Sequence, residues 1–268
     1  MKIGNREFDV TNRTYIMGIL NVTPDSFSDG GKWNTMDHAL KHAEAMIADG
    51  ADILDVGGES TRPGHTPVSA EEEAARVVPV IEALRKHFDV PISVDTYKGS
   101  VADVAVQAGA DLVNDIWGFK FDKKTALMTA KYNAACCLMH NKDEAVYNDF
   151  LEDMVSEMAE CVKIAREAGV ADDKIMLDPG VGFGKTYEMN LAAINHVDVL
   201  HRLGFPILLG TSRKSVIGLT LDLPADQRME GTVATTVIGV MKGVAFVRVH
   251  DVKENYRALK MTEAILGR

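Results

Sequence analysis

Ile175-Met-Leu-Asp-Pro-Gly-Val-Gly-Phe-Gly-Lys-Thr186 decides how the rest of this 268-residue chain is read. A short apolar run, Ile175 to Leu177, ends in the carboxylate of Asp178 and gives way to a glycine-rich loop. Apolar run, polar terminus, loop and then a helical stretch is the repeating unit of a parallel α/β sheet covered on both faces. The Gly184-Lys185-Thr186 tail imitates a phosphate loop. That loop needs glycine at position 179, where Pro179 stands, and the alternating glycines also break the dinucleotide-binding spacing. The glycines instead allow the backbone to approach a flat ligand, with Phe183 available to stack; a plain strand-to-helix turn is the other reading.

Seven further runs of the same kind flank this one: Tyr15 to Val22, Asp52 to Val56, Ile92 to Val94, Leu112 to Ile116, Ala134 to Met139, Ile207 to Leu209 and Phe246 to Val249. Helical stretches alternate with them, at Thr35–Asp49, from Ser69 through Phe88, and at Gly99–Ala108, Lys123–Tyr132, Phe150–Ala168, Asn190–Leu203, Gly231–Met241 and Glu254–Leu266. Ser69 with Glu72 reads as a capping box, and Gly50, Gly109, Gly169, Gly204 and Gly243 read as helix ends. Eight strand–helix units, at about 33 residues each, predict a single-domain (β/α)8 TIM barrel spanning residues 1–268 rather than two domains or a doubly wound open sheet. Residues 2 to about 13 lie outside the repeat and are expected to form a short N-terminal hairpin closing the barrel bottom.

Composition excludes other classes. With 46% hydrophobic and 25% charged residues, the chain has ample material for a core, which argues against disorder. A net charge of -10 argues against a nucleic-acid partner, because the phosphate backbone asks for a basic face. No apolar run approaches a membrane span, and no secretory h-region follows Met1. Cys136, Cys137 and Cys161 lack metal-type spacing and read as buried thiols in a cytoplasmic protein. Met36, Met46, Met154 and Met158 read as packing residues, while His38, His42 and His87 read as surface residues without a role.

Barrel enzymes carry their chemistry where the strands end. Those positions hold Asn21, Asp55, Asp95, Asn114 with Asp115, His140, Asp178, Ser212 to Lys214, and Arg248 with His250. A first loop residue or a helix cap is the plain alternative for any one of them, Asp95 before Gly99 included. All eight together predict a polar mouth, with carboxylates for a heterocycle rich in N–H donors and cations for an anion. The mouth is expected to be locally cationic through Arg62, Lys214 and Arg248. The acidic excess is then left to outer helices, at Glu71 to Glu73 and Glu152 to Glu160. The loops Asn21–Gly31 and Gly57–Gly64, rich in Gly, Pro and hydroxyls, are candidate lids.

These residues resemble the dihydropteroate synthase family of folate biosynthesis over nearly the whole chain. The resemblance rests on Met17-Gly-Ile-Leu-Asn-Val-Thr-Pro-Asp-Ser-Phe-Ser-Asp-Gly-Gly31, Asp55-Val-Gly-Gly-Glu-Ser-Thr-Arg-Pro-Gly64, Ser93-Val-Asp-Thr96, Val113-Asn-Asp-Ile116, Leu177 to Lys185, Gly210-Thr-Ser-Arg-Lys-Ser215 and Arg248-Val-His-Asp251. It implies a transferase that joins (7,8-dihydropterin-6-yl)methyl diphosphate to 4-aminobenzoate, uses Mg2+, forms homodimers and is a sulfonamide target. Carried over by position, Asp95, Asn114, Ile116, Met139, Asp178, Gly182, Phe183 and Lys214 resemble the pterin site. Asn21, Arg248 and His250 resemble the diphosphate binders, Asn21 also being the metal ligand. Phe27, Thr61, Arg62, Pro63, Ser212 and Lys214 resemble the 4-aminobenzoate site. Asp95, Lys214, Arg248 and His250 are the implied catalytic set, acting in a dissociative displacement without a covalent enzyme intermediate. A methyltetrahydrofolate–corrinoid methyltransferase would share the pterin set but have no use for Arg248, His250 or the two early loops. A pterin-sequestering protein would have no use for a leaving-group site.

Overall fold

The computed structural model describes residues 1–22, 32–59 and 67–268, with backbone only for 32–35. A hairpin of β1 (Lys2–Ile3) and β2 (Arg6–Glu7) precedes eight parallel strands. These are β3 (Tyr15–Asn21), β4 (Ile53–Gly57), β5 (Ile92–Asp95), β6 (Leu112–Asp115), β7 (Ala135–Met139), β8 (Ile175–Asp178), β9 (Leu208–Leu209) and β10 (Phe246–Val249). Their order is β8-β7-β6-β5-β4-β3-β10-β9, and a parallel bridge between Leu177 and Ile207 joins the two ends into a ring. The eight-stranded barrel expected from the sequence is thus the observed fold.

Residue alternation within each strand explains the barrel. One set of side chains, including Ile16, Leu20, Leu54, Val56, Val94, Val113, Cys136, Leu138, Ile175, Leu177 and Val247, is apolar except at the β6 end and packs beneath the helices. The other set faces the axis and changes character along it. At the floor it is apolar, with Tyr15, Met17, Ile53, Leu112, Ala135, Cys137, Met176, Leu208 and Phe246. At the top it is polar. The hairpin drives Ile3 and Phe8, both essentially inaccessible, into the floor. There Phe8 meets Tyr15 edge-on at 4.8 Å between centroids and Phe246 at 5.5 Å. The extra N-terminal segment therefore does what its position suggested and plugs the barrel bottom.

The helices are α1 (Lys32–Ala48), α2 (Ala70–His87), α3 (Gly99–Ala108), α4 (Lys123–Lys131), α5 (Phe150–Glu167), α6 (Tyr187–Asn195), α7 (Ser215–Leu221), α8 (Met229–Met241) and α9 (Val252–Leu266). Side chains of Ser69, Asp122, Asp149 and Thr186 accept from the first-turn amides of α2, α4, α5 and α6. In the expected capping box only Ser69 plays its part: Glu72 pairs with Arg76 instead. Gly50, Gly109, Gly169, Gly204 and Gly243 all have positive φ, as helix ends favour.

Three expectations need correction. The stretch 190–203 is not one helix, because α6 stops at Asn195 and a 3-10 segment, Val197–Leu203, completes it. Helix α7 was not anticipated; it is only seven residues long, contains Gly218, and has no side-chain cap. Glu73 is not part of a solvated acidic face. It is buried and bonded to Lys98 Nζ at 2.6 Å, drawing charge inward from the first turn of α2.

Candidate active site

Strand register gathers the expected residues at the top of the barrel. Asn21, Gly57, Asp95 and Asn114 are successive Cα partners across β3, β4, β5 and β6, and Asp178 of β8 is level with Met139 of β7. The four side chains Asp55, Asp95, Asn114 and Asp178 are all buried. Asp95 does not cap α3; Lys98 occupies that position. Arg248 reaches across from β10, donating from Nε to Asp55 Oδ2 at 2.6 Å and from Nη2 to Asp95 Oδ2 at 2.7 Å. Asn114 Nδ2 donates to the same Asp55 oxygen at 3.3 Å. The second oxygens of Asp55 and Asp95 are buried and accept nothing from the described residues. Burial, opposed by the Arg248 charge, pushes the Asp95 carboxyl up to about 7.

The glycine-rich segment forms one wall. Asp178 Oδ1 accepts from Gly180 N at 2.7 Å, so part of its capacity goes to the turn, as the plain reading allowed. Burial raises its carboxyl above the usual range, with Lys214 the chief opposing charge. Lys214 donates from Nζ to Val181 O at 2.5 Å and stands 4.8 Å from the centroid of the Phe183 ring. Loss of hydration brings this lysine down to about 8, against the pull of Asp178. Gly210 leaves space beside the carboxylate, since a Cβ there would stand 3.3 Å from Asp178 Oδ2. Tyr97, Ile116 and Met139 form a separate buried apolar cluster, with Trp117 and Phe183 packed beside it. Three of the expected wall residues, Ile116, Met139 and Phe183, therefore meet.

His250 and Ser212 also meet, the His250 ring Nδ1 lying 2.9 Å from Ser212 Oγ, which accepts from His250 N at 3.1 Å. Arg213, with φ 57°, is held by Asp251 through Nε at 3.0 Å, which fixes the turn carrying Ser212 and Lys214. Asn21 stands at the rim. A Cβ on Gly57 would lie 3.4 Å from Asn21 Oδ1 and 3.8 Å from Asp95 Oδ2, so both oxygens border the gap that glycine leaves. Phe27, Thr61, Arg62 and Pro63 lie outside the described residues.

Two strand-end groups turn away from the mouth. Met139 and Asn114 point inward, so the next residues, His140 and Asp115, point outward. His140 is fully buried against α5, with Nε2 2.9 Å from Glu157 Oε2. Asp115 accepts from Trp117 N at 2.7 Å and caps its own turn. The mouth is also less cationic than expected, because Arg248 and Lys214 sit among Asp55, Asp95 and Asp178.

Sequence reasoning gave no role to Asp55, which joins Arg248 to Asn114, although its strand-end position was a visible signal. It also passed over Glu59, which accepts from Tyr97 Oη at 2.9 Å and from Lys98 Nζ, tying the start of the second early loop to β5 and α2.

The profile of the pterin-binding enzyme family matches residues 17–250. A dihydropteroate synthase of Clostridium beijerinckii is 62% identical over 269 residues, covering 100% of both chains. One of Bacillus subtilis is 58% identical over 256 residues, covering 96% of this chain and 90% of its own. A Clostridium difficile dihydropteroate synthase, crystallised in the presence of pteroic acid, superposes with a TM-score of 0.95 at 52% identity, covering 98% of this chain and 100% of that one. Among the described residues, no helix is long and apolar enough to cross a membrane.

Proposed function

The chain belongs to the pterin-binding enzyme family, among its dihydropteroate synthases, and from that premise we propose how its barrel mouth joins (7,8-dihydropterin-6-yl)methyl diphosphate to 4-aminobenzoate, giving 7,8-dihydropteroate and diphosphate. The observation that carries the assignment of roles is the set of buried carboxylates, Asp95 and Asp178, beside Asn114, walled by Ile116 and Met139. A pterin is flat and presents adjacent N–H donors along one edge. Asp178 accepts from the amino and ring N–H groups, Asn114 adds a donor and an acceptor, and Lys214 donates to the pterin carbonyl. Gly182 lets the loop approach the ring, and Phe183 covers it. Pteroic acid, present with the Clostridium difficile enzyme, contains both halves of such a product.

The leaving group falls to Arg248, His250 and Asn21. Arg248 spends Nε and Nη2 on Asp55 and Asp95, and a guanidinium has five donors, so others remain to face an anion. As the C–O bond to diphosphate lengthens, positive charge grows on the pterin methylene, and Asp95 stabilises it from below. The amine of 4-aminobenzoate then attacks that carbon. Ser212 and Lys214 border its site, completed by Phe27, Thr61, Arg62 and Pro63. All three cysteines are buried, which suits displacement without a covalent enzyme intermediate and fits a reducing cytoplasmic setting.

Mg2+ fits the residues at the rim. Hard oxygen donors suit it, and the Asn21 amide oxygen borders the gap over Gly57 together with an Asp95 oxygen. When bound, the ion neutralises charge on the departing diphosphate. A homodimer is supported by exposed apolar side chains on three successive helices: Leu219 and Leu221 of α7, Ile238 and Met241 of α8, and Met261 and Ile265 of α9. The deciding experiment mixes purified protein with Mg2+, the pterin diphosphate and 4-aminobenzoate. Diphosphate and dihydropteroate are expected in equal amounts, and failure to release them together would overturn the reading.

A further inference from the structure

The Lys185 ammonium has no part in the functions assigned above, yet it sits at the centre of the glycine loop. Its Nζ donates to Gly180 O at 2.9 Å and to Phe183 O at 3.0 Å, and lies 2.8 Å from His140 Nδ1. Burial brings the Lys185 amine down to about 7; in its ammonium form Nζ only donates, so His140 Nδ1 is then the acceptor and the ring proton is on Nε2, facing Glu157. Burial and the nearby lysine charges of Lys185, Lys120 and Lys142 hold His140 down at about 2, so it stays neutral and keeps that lone pair. Glu157 in turn is held by Lys142 at 2.6 Å.

The loop cannot be shaped by its glycines alone. Gly180, Gly182 and Gly184 all have positive φ, and a Cβ on Gly180 would collide with His140 O at 1.8 Å. Glycine permits such a path without selecting it, because it also populates many others. The selection comes from what holds the carbonyls. Lys185 fixes those of residues 180 and 183; Tyr147 Oη donates to that of Gly184 at 2.7 Å. The N–H of Gly180 is the one that bonds Asp178, and the neighbouring carbonyl of Val181 is the one that receives Lys214.

We propose that Lys185, aimed by the His140–Glu157 pair, is a positioning residue for pterin recognition: it fixes the 180–184 loop and through it Asp178, Phe183 and Lys214. This explains why a lysine ends the glycine run although the run binds no phosphate in the manner of a phosphate loop. It rests on the pterin reading given above.

The test uses the full chain and a bare pterin, 6-hydroxymethyl-7,8-dihydropterin, as probe. Lys185→Met keeps the stem and removes the amine with its hydrogen bonds to the two carbonyls. Pterin affinity is expected to fall by about 10- to 100-fold, the range that losing hydrogen bonds to a charged group implies. The KM for 4-aminobenzoate should rise by less than the pterin affinity falls, the variant should stay folded with a lower Tm, and amides 180–184 of the ligand-free variant should exchange hydrogen faster. In Lys185→Ala, propylammonium added to the buffer should restore pterin affinity, which a merely structural residue would not allow. Unchanged pterin affinity in folded Lys185→Met, an equal loss for 4-aminobenzoate, or no rescue of Lys185→Ala overturns the proposal. If the unmutated protein binds no pterin, the functional reading itself fails, a result distinct from normal binding by every variant.

Discussion

Replacing Arg248 by Met removes a side chain that bridges Asp55 and Asp95, at 2.6 and 2.7 Å, in a place where those carboxylates are almost wholly buried. Breaking a buried ion pair by deleting one partner costs about 3–5 kcal/mol, because the surviving charge stays buried. Here the protein has an escape. Asp95 already sits at about 7 with Arg248 pulling it down, so losing that pull leaves it protonated at neutral pH at almost no extra cost. The loss at about pH 7 therefore settles near the lower limit, about 3 kcal/mol, and the variant still folds. The sign of the pH effect follows from linkage. A carboxyl raised in the folded state favours folding at low pH, and that contribution is lost as pH rises through the folded value. In the unmutated protein the loss ends near 7, whereas in Arg248→Met it continues upward, by about 1.4 kcal/mol for each further pH unit. Urea unfolding of both proteins at about pH 6 and about pH 9 should give a gap that widens with pH. Calorimetry should find the pterin diphosphate weakened about 100-fold and a bare pterin less than about tenfold. A stability gap independent of pH would refute the charge-trapping argument, and equal losses for both ligands would refute the leaving-group role.

Other substitutions probe separate parts of the barrel. Asp178→Asn removes the charge proposed to face the pterin N–H edge, so bare-pterin affinity should fall at least about 100-fold by calorimetry. Asp115 lies outside the mouth, and burial raises its carboxyl to about 7, so Asp115→Asn should stabilise the protein above that pH and have little effect below about 4 in denaturant titrations. Phe8→Ala empties the floor and should cost about 3–5 kcal/mol by urea unfolding without shifting the KM for either substrate. If the loops Asn21–Gly31 and Gly57–Gly64 close over the substrates, limited proteolysis within them should be suppressed only when ligands for both sites are present.

The barrel was legible because apolar runs ending in polar residues are a local pattern, repeated eight times. The inward and outward faces were legible too, but only by counting parity. Asn114 and Met139 face the axis, so Asp115 and His140 have to face the helices, and reading every strand-end polar group as a mouth residue ignored this. What the sequence could not disclose were pairings over long separations. Asp55 and Arg248 stand 193 positions apart, and nothing near either residue names the other. Glu73 looked like an ordinary first-turn acid until Lys98 was seen to bond it from the neighbouring unit. Lys185 was left without a role: the phosphate-loop likeness failed on spacing, the glycines were read as letting the backbone approach a flat ligand, and the lysine's partners are backbone carbonyls that have no sequence signature.

The aromatic floor carries a kinetic meaning as well as a stabilising one. Ile3 and Phe8 turn the barrel into a cul-de-sac. Whatever settles on Asp178 and Asn114 must pass the rim first, and anything held at the rim stands in its way. With one doorway and the pterin seated deepest, as proposed, the expected order is pterin ester first and 4-aminobenzoate second, which steady-state product-inhibition kinetics would check.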